Sequence, residues 1–159
     1  METSDGTRPR YYAAYGSNLN LPQMTQRCPT AEVVGSDTLQ DWRLRFRGTP
    51  GNAVATIERK EGHTVPVLIF RIQPKDEKSL DGYEGWPWLY RKEEIEVKVD
   101  GKPITAFTYI MNETNHPYNQ PGPYYFGILL AGYLIVNFDV KILMDAVENN
   151  IPSGFYRER

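Results

Sequence analysis

The sequence predicts an α+β fold from three observations. Strand patterns fill most of the span from Arg10 to Met111, short helical patterns interrupt them after Asn20 and Pro74, and two further helices collect late. Mixed strands with interspersed short helices are not the regular alternation of a βαβ protein. With 159 residues, 40% hydrophobic and 24% charged, the chain suits one compact soluble domain. Residues 10–159 are read as that domain. Residues 1–9 are polar, lack the apolar core of a signal peptide and are read as a frayed tail.

Arg10–Tyr15 reads as a short strand ending at a glycine turn. Asn20 is placed to cap a helix over Leu21–Arg27; Pro22 is tolerated in its first turn and Pro29 forbids its extension. Leu39–Arg47 alternates cleanly, with Trp42, Leu44 and Phe46 on one face and Arg43, Arg45 and Arg47 on the other, which is read as solvated. Pro50-Gly51-Asn52 turns the chain into Ala53–Arg59, and Lys60-Glu61-Gly62-His63 predicts a hairpin turn into Thr64–Ile72. Val65, Val67, Leu68, Ile69, Phe70 and Ile72 put apolar groups on both faces of that last strand, so it is expected to be central and covered.

Pro74 opens a brief helix expected through Leu80. Leu89–Val99 and Pro103–Met111 follow as strands joined at Asp100-Gly101, a strong hairpin pair. Asn112–Pro123, with three prolines, reads as an irregular loop, and Tyr125–Asn137 and Asp139–Asn149 read as helices. Asp139 is a natural N-cap, and Ile142, Leu143, Ala146 and Val147 form the last helix's apolar stripe.

Composition excludes several function classes. A net charge of −2 gives no general attraction to nucleic acid or anionic membranes, and the longest apolar run, Tyr124–Val136, falls short of the ~20 residues a membrane helix needs. The single cysteine, Cys28, cannot form an internal disulfide, which suits a reducing, cytoplasmic setting. His63 and His116 lie far apart with no Cys or carboxylate at ligand spacing, so no metal site is expected. Ser17 lacks a nucleophile-elbow frame, and no dinucleotide or P-loop fingerprint occurs.

Two segments carry a functional signal. Glu84 lies in Leu80-Asp81-Gly82-Tyr83-Glu84-Gly85-Trp86-Pro87-Trp88-Leu89-Tyr90-Arg91, a carboxylate among aromatic rings. Burial beside such rings raises a carboxyl pKa and suits it to proton transfer near neutral pH. Tyr15-Gly16-Ser17-Asn18-Leu19 follows the first strand, where a glycine turn can offer backbone N–H groups to a ligand. Each also has a plain structural reading: Glu84 as a surface glutamate at a helix end, the loop as a simple strand-to-helix turn.

Together and in this order the two segments resemble the γ-glutamylcyclotransferase-like family, the group that includes the AIG2-like and γ-glutamylamine-processing proteins. Members carry a Tyr-Gly-Ser-Asn-Leu loop after the first strand and, later, Leu-Asp-x-x-Glu-Gly followed by Tyr-Arg; here the match runs from Tyr12 to about Ile142. The resemblance implies a small mixed, barrel-like sheet with short helices. It also implies an enzyme that needs no cofactor and acts on a small γ-glutamyl molecule. The substrate's own α-amine attacks the γ-carbonyl, closes a five-membered ring and releases 5-oxoproline and an amine. Glu84 would serve as base and then acid, and Tyr15, Gly16, Ser17, Asn18 and Leu19 as the binding loop.

Tyr90 and Tyr125 match family tyrosines that could orient the substrate, or are core aromatics with satisfied hydroxyls. Trp86 and Trp88 could wall the pocket or face a partner. Many relatives have a small residue near Val67; if that position faces the pocket, valine narrows it. Two other readings stand beside catalysis, a non-catalytic γ-glutamyl or amino-acid-binding domain and an interaction scaffold built on the Tyr83–Tyr90 aromatics. A Glu84 directed into a pocket favours catalysis, and one directed into bulk solvent favours the scaffold.

Overall fold

A computed structural model describes residues 8–112 and 116–150. The chain begins with strand β1 (Arg10–Ala14), a single 3-10 turn (Ser17–Leu19) and helix α1 (Leu21–Arg27). The long strands β2 (Glu32–Arg47) and β3 (Val54–Ile72) follow, then helix α2 (Pro74–Glu84). Strands β4 (Tyr90–Val99) and β5 (Lys102–Met111) and helices α3 (Pro123–Ile135) and α4 (Val140–Glu148) complete the order. Most of the expected 1–9 tail, and the last nine positions of the expected domain, lie outside the described residues.

The five strands form one mixed sheet in the order β2-β3-β1-β5-β4, with β1 parallel to β5 and every other pair antiparallel. The sheet is not closed, which corrects the barrel-like expectation: β2 and β4 remain its edges. The edges do meet, because Asp37 on β2 accepts a hydrogen bond from the Lys98 N–H at 2.8 Å, but no strand ladder joins them.

The central strand β1 is only five residues long and carries the small side chains Ala13 and Ala14, both buried. On one side it pairs with the apolar end of β3, where Val65, Val67, Ile69, Phe70 and Ile72 are buried as expected of a covered strand. The predicted hairpin at Lys60–His63 does not form; β3 runs through it unbroken and pairs with β2 on both sides of it. The turn-prone residues are absorbed in an irregularity of the ladder, which steps from Gln40↔Thr64 to Trp42↔Arg59. Asp41 and Gly62 both adopt positive φ there, and the Gly62 N–H donates to Asp41 Oδ1 at 2.9 Å. Such bulges bend a ribbon. The first part of β3 thus reaches the end of β1 and β5: Ala55 lies against Gly16, and Thr56 Oγ1 accepts the Met111 N–H at 2.9 Å.

Other local expectations hold for the expected reasons. Asn20 caps α1 by accepting from Gln23 N, Asp139 caps α4 by accepting from Lys141 N, and Asp100-Gly101 makes the β4–β5 turn with both φ positive. The arginine face of β2 is a correction. Arg45 is buried, and Arg45 and Arg47 stack on Tyr118 at 3.5 and 4.0 Å from its ring centre. Glu58 accepts from both Arg47 Nε and the Tyr118 hydroxyl, each at 2.7 Å. The proline-rich loop supplies that tyrosine, so this face packs under the loop and is not solvated. Among the described residues no helix is long and apolar enough to cross a membrane.

Candidate active site

Helix α2 aims Glu84. It starts at a capping box, Gln73 with Asp76, and Leu80 anchors it in the core. Asp81 then ties its last turn to the sheet, accepting from the Tyr109 hydroxyl at 2.7 Å and pairing with Lys92 at 2.9 Å. Gly85 ends the helix in the left-handed conformation at φ +69, a position that suits glycine. The helix was expected to stop at Leu80; the Asp81 tether and the Gly85 cap carry it four residues further. Glu84 therefore sits on the final turn, where the carbonyl end of the helix adds to the cost of a negative charge.

The Glu84 side chain lines a cavity of about 250 Å³ where β1 gives out. Tyr12, Tyr15, Gly16, Ser17 and Asn18 form one wall, Val54 and Ala55 another, and Tyr83, Leu89, Tyr90, Tyr109 and Tyr125 close the rest. Burial pushes the Glu84 carboxyl up to about 7, and the positive charge of Arg27 partly opposes the rise. Burial also raises Tyr12, Tyr15, Tyr90 and Tyr125 above the ordinary phenol range, so all four remain neutral hydroxyls.

The cavity gathers Tyr15, Gly16, Ser17, Asn18, Glu84, Tyr90 and Tyr125 from the sequence reading, and omits Leu19. Leu19 is fully buried under α3. Gly16 has φ −124, so no left-handed turn is required there, and an added Cβ would meet only the Ala55 side chain at an ordinary 3.6 Å. What the loop contributes is closeness to Ala55 and a pair of anchored polar groups. Ser17 Oγ lies 3.0 Å from the Tyr83 hydroxyl, while Asn18 donates to the Tyr12 hydroxyl at 2.8 Å and accepts from Arg27.

Tyr90 and Tyr125 converge on one residue. Tyr90 donates to the Ala55 carbonyl at 2.6 Å, and Tyr125 accepts from the Ala55 N–H at 3.0 Å. Both hydroxyls are thus hydrogen-bonded to Ala55, and both tyrosines line the cavity. The Tyr90 proton is committed, so that oxygen can only accept from a ligand; the Tyr125 proton is free to donate.

The family model described as gamma-glutamyl cyclotransferase, AIG2-like, matches residues 12–126. The chain belongs to this family. A mouse protein named gamma-glutamylcyclotransferase is 33% identical over 153 residues, spanning 91% of this chain and 73% of its own. Its human namesake is 32% identical over 130 residues, 76% of this chain and 68% of its own. A solved structure named gamma-glutamyl cyclotransferase, 25% identical, superposes with a TM-score of 0.75 over 95% of this chain and 93% of that one.

Within the gamma-glutamyl cyclotransferase fold, several residues escaped sequence reasoning. Tyr12, Tyr109, Val54 and Ala55 sit in ordinary strand patterns and carry no local signal; they reach the cavity only through sheet order and the β3 bend. Arg27 ends α1 and stacks 3.6 Å over the Tyr83 ring centre. Val67 is fully buried and is not part of the cavity wall, so it does not narrow this pocket. Neither Trp86 nor Trp88 walls it; Trp88 is 85% exposed and Trp86 lies beside Lys92 Nζ at 4.2 Å. Arg91 pairs with Glu93 at 3.2 Å. Burial pushes the Cys28 thiol up to about 12, which leaves it an inert core group.

Proposed function

We propose that this chain is a γ-glutamyl cyclotransferase that releases 5-oxoproline and a free amine or amino acid from a γ-glutamyl substrate. The observation that carries this reading is the placement of Glu84, a carboxyl raised to about 7 in a tyrosine-lined cavity, on a family member. Its carboxylate takes a proton from the substrate's α-ammonium. The freed amine attacks the γ-carbonyl, the ring closes, and the same carboxyl returns the proton to the departing nitrogen. Proximity is built into the substrate, so the site has to fold it into a reactive conformer. Tyr15, Gly16, Ser17, Asn18, Tyr90 and Tyr125 hold the substrate; the Tyr125 proton and the loop N–H groups suit its carboxylate or the oxyanion. Leu19 supports the loop from the core. The reaction needs no cofactor, and a cytoplasmic site of action suits the lone, buried thiol.

Glu84 lining a cavity favours catalysis over the scaffold reading, and a raised carboxyl favours it over passive binding, for which no proton carrier is needed. The decisive experiment is a capped substrate. The unmodified γ-glutamyl compound should give 5-oxoproline and amine in equal amounts with no free glutamate. Its N-acetyl derivative, shown by competition still to bind, should give neither product. Glutamate as the direct product would move the protein to the amidohydrolases.

The pH dependence follows from the same carboxyl. Glu84 must be ionised to act as base, so kcat/KM should be low below about pH 7 and rise through it. Arg27 favours the ionised form, so Arg27→Gln should move this limb to higher pH. The limb due to the substrate's own amine is common to both enzymes and cancels in the comparison. A limb near pH 4.5 in the parent enzyme, or one unmoved in the variant, would refute the assignment.

A further inference from the structure

A second cavity, of about 560 Å³, lies between the bend of the β2–β3 ribbon and α4 and shares no lining residue with the Glu84 cavity. Arg43, Arg45, His63 and Thr64 face it from the ribbon, and Ile142, Asp145 and Ala146 from α4. Arg45 is only 6% exposed. Its Nε donates to Asn150 at 3.2 Å and its guanidinium plane rests on Tyr118, and among the described residues no carboxylate pairs with it. Arg43 Nε is buried without any hydrogen-bond partner among the described residues. The nearby carboxylates are already engaged: Glu58 with Arg47 and Tyr118, Asp145 with Lys141 at 3.0 Å. Two guanidinium groups thus face one space with unclaimed donors, an arrangement that costs desolvation unless an anion completes it.

We propose that this cavity binds a phosphate group, free or as a phosphate monoester, between Arg43 and Arg45. Planar, multi-donor guanidinium groups match the oxygens of a tetrahedral dianion, and Thr64 can add a hydroxyl donor. The walls at Ile142 and Ala146 leave apolar surface for the organic part of an ester. The lining is net positive at neutral pH, because Arg43 and Arg45 outweigh Asp145, which is itself paired with Lys141.

The test is calorimetric titration of the full chain with inorganic phosphate and with phenyl phosphate, in chloride at constant ionic strength. Saturable one-to-one binding is expected. Arg43→Gln should weaken it by about tenfold or more, as loss of a charged donor does. Arg43→Lys keeps the charge but not the fork and should fall between. Arg59→Gln removes the same charge from a 71% exposed side chain outside the cavity and should change nothing, as should Glu84→Gln. Thermal unfolding of each variant verifies its fold. Tighter binding of phenyl phosphate assigns the site to an ester, and equal binding to free phosphate. Absence of saturable binding, equal losses in the Arg43 and Arg59 variants, or loss in Glu84→Gln would each overturn the proposal.

Discussion

Glu84→Gln is expected to lower 5-oxoproline formation by ~100-fold or more, the usual loss for a general acid–base group, while making the protein more stable at pH 8. The amide keeps the shape of the side chain but cannot accept the ammonium proton, so substrate affinity should change little. The stability gain comes from the charge the cavity disfavours. Between the ordinary value of 4.5 and the folded value of about 7, the native state holds a proton that the unfolded state releases. Stability therefore falls as pH rises through that window, and the loss is complete above it, at roughly 3 kcal/mol. Glutamine escapes the loss. Its melting temperature should exceed the parent's at pH 8, and the difference should shrink towards pH 4.5. Near-normal turnover would remove Glu84 from the mechanism, and equal melting curves at pH 8 would remove the buried charge.

Gly132→Ala is expected to impair both folding stability and activity, although Gly132 touches no substrate. It lies in the last turn of α3, where alanine would ordinarily favour the helix by ~1 kcal/mol. Here an added Cβ would stand 2.8 Å from Asn20 N and 2.9 Å from the Leu19 carbonyl carbon. Both are backbone atoms and cannot rotate aside, so α3 must retreat from the Ser17–Leu19 turn. Overpacking of this kind costs about 1–3 kcal/mol. The retreat also pulls on Asn20, which donates to the Ile128 carbonyl at 3.2 Å, and on Tyr125, which holds the Ala55 N–H. A lower melting temperature with a raised KM is the expected pair of readouts. A variant that melts and turns over like the parent would show that α3 does not set the loop.

The unequal success of the sequence reading has physical causes. Helix α1 was legible because its signals are local, an asparagine cap and flanking prolines acting within a few residues. The same holds for the Asp139 cap and the Asp100-Gly101 turn. Lys60–His63 misled because turn-prone residues can also be taken up by a bulge, and only a partner strand in register decides between the two. The arginine face of β2 misled because its cover, Tyr118, comes from a loop far along the chain. Leu19 belongs to the turn after β1, but which side chain of a turn points inward depends on what packs behind it.

By itself the sequence determined the α+β class, the positions of most elements, and the two segments that identify the family, because capping, periodicity and short motifs are written in neighbouring residues. It also singled out Glu84. Only the tertiary structure decided that the sheet stays open and that β3 bends to bring Ala55 to the loop. It alone decided that Tyr90 and Tyr125 take the C=O and the N–H of one residue, Ala55, and that Arg27 sets its charge against the burial of Glu84. These depend on contacts between residues distant along the chain, and burial, which sets the carboxyl's proton affinity, exists only once those contacts have formed.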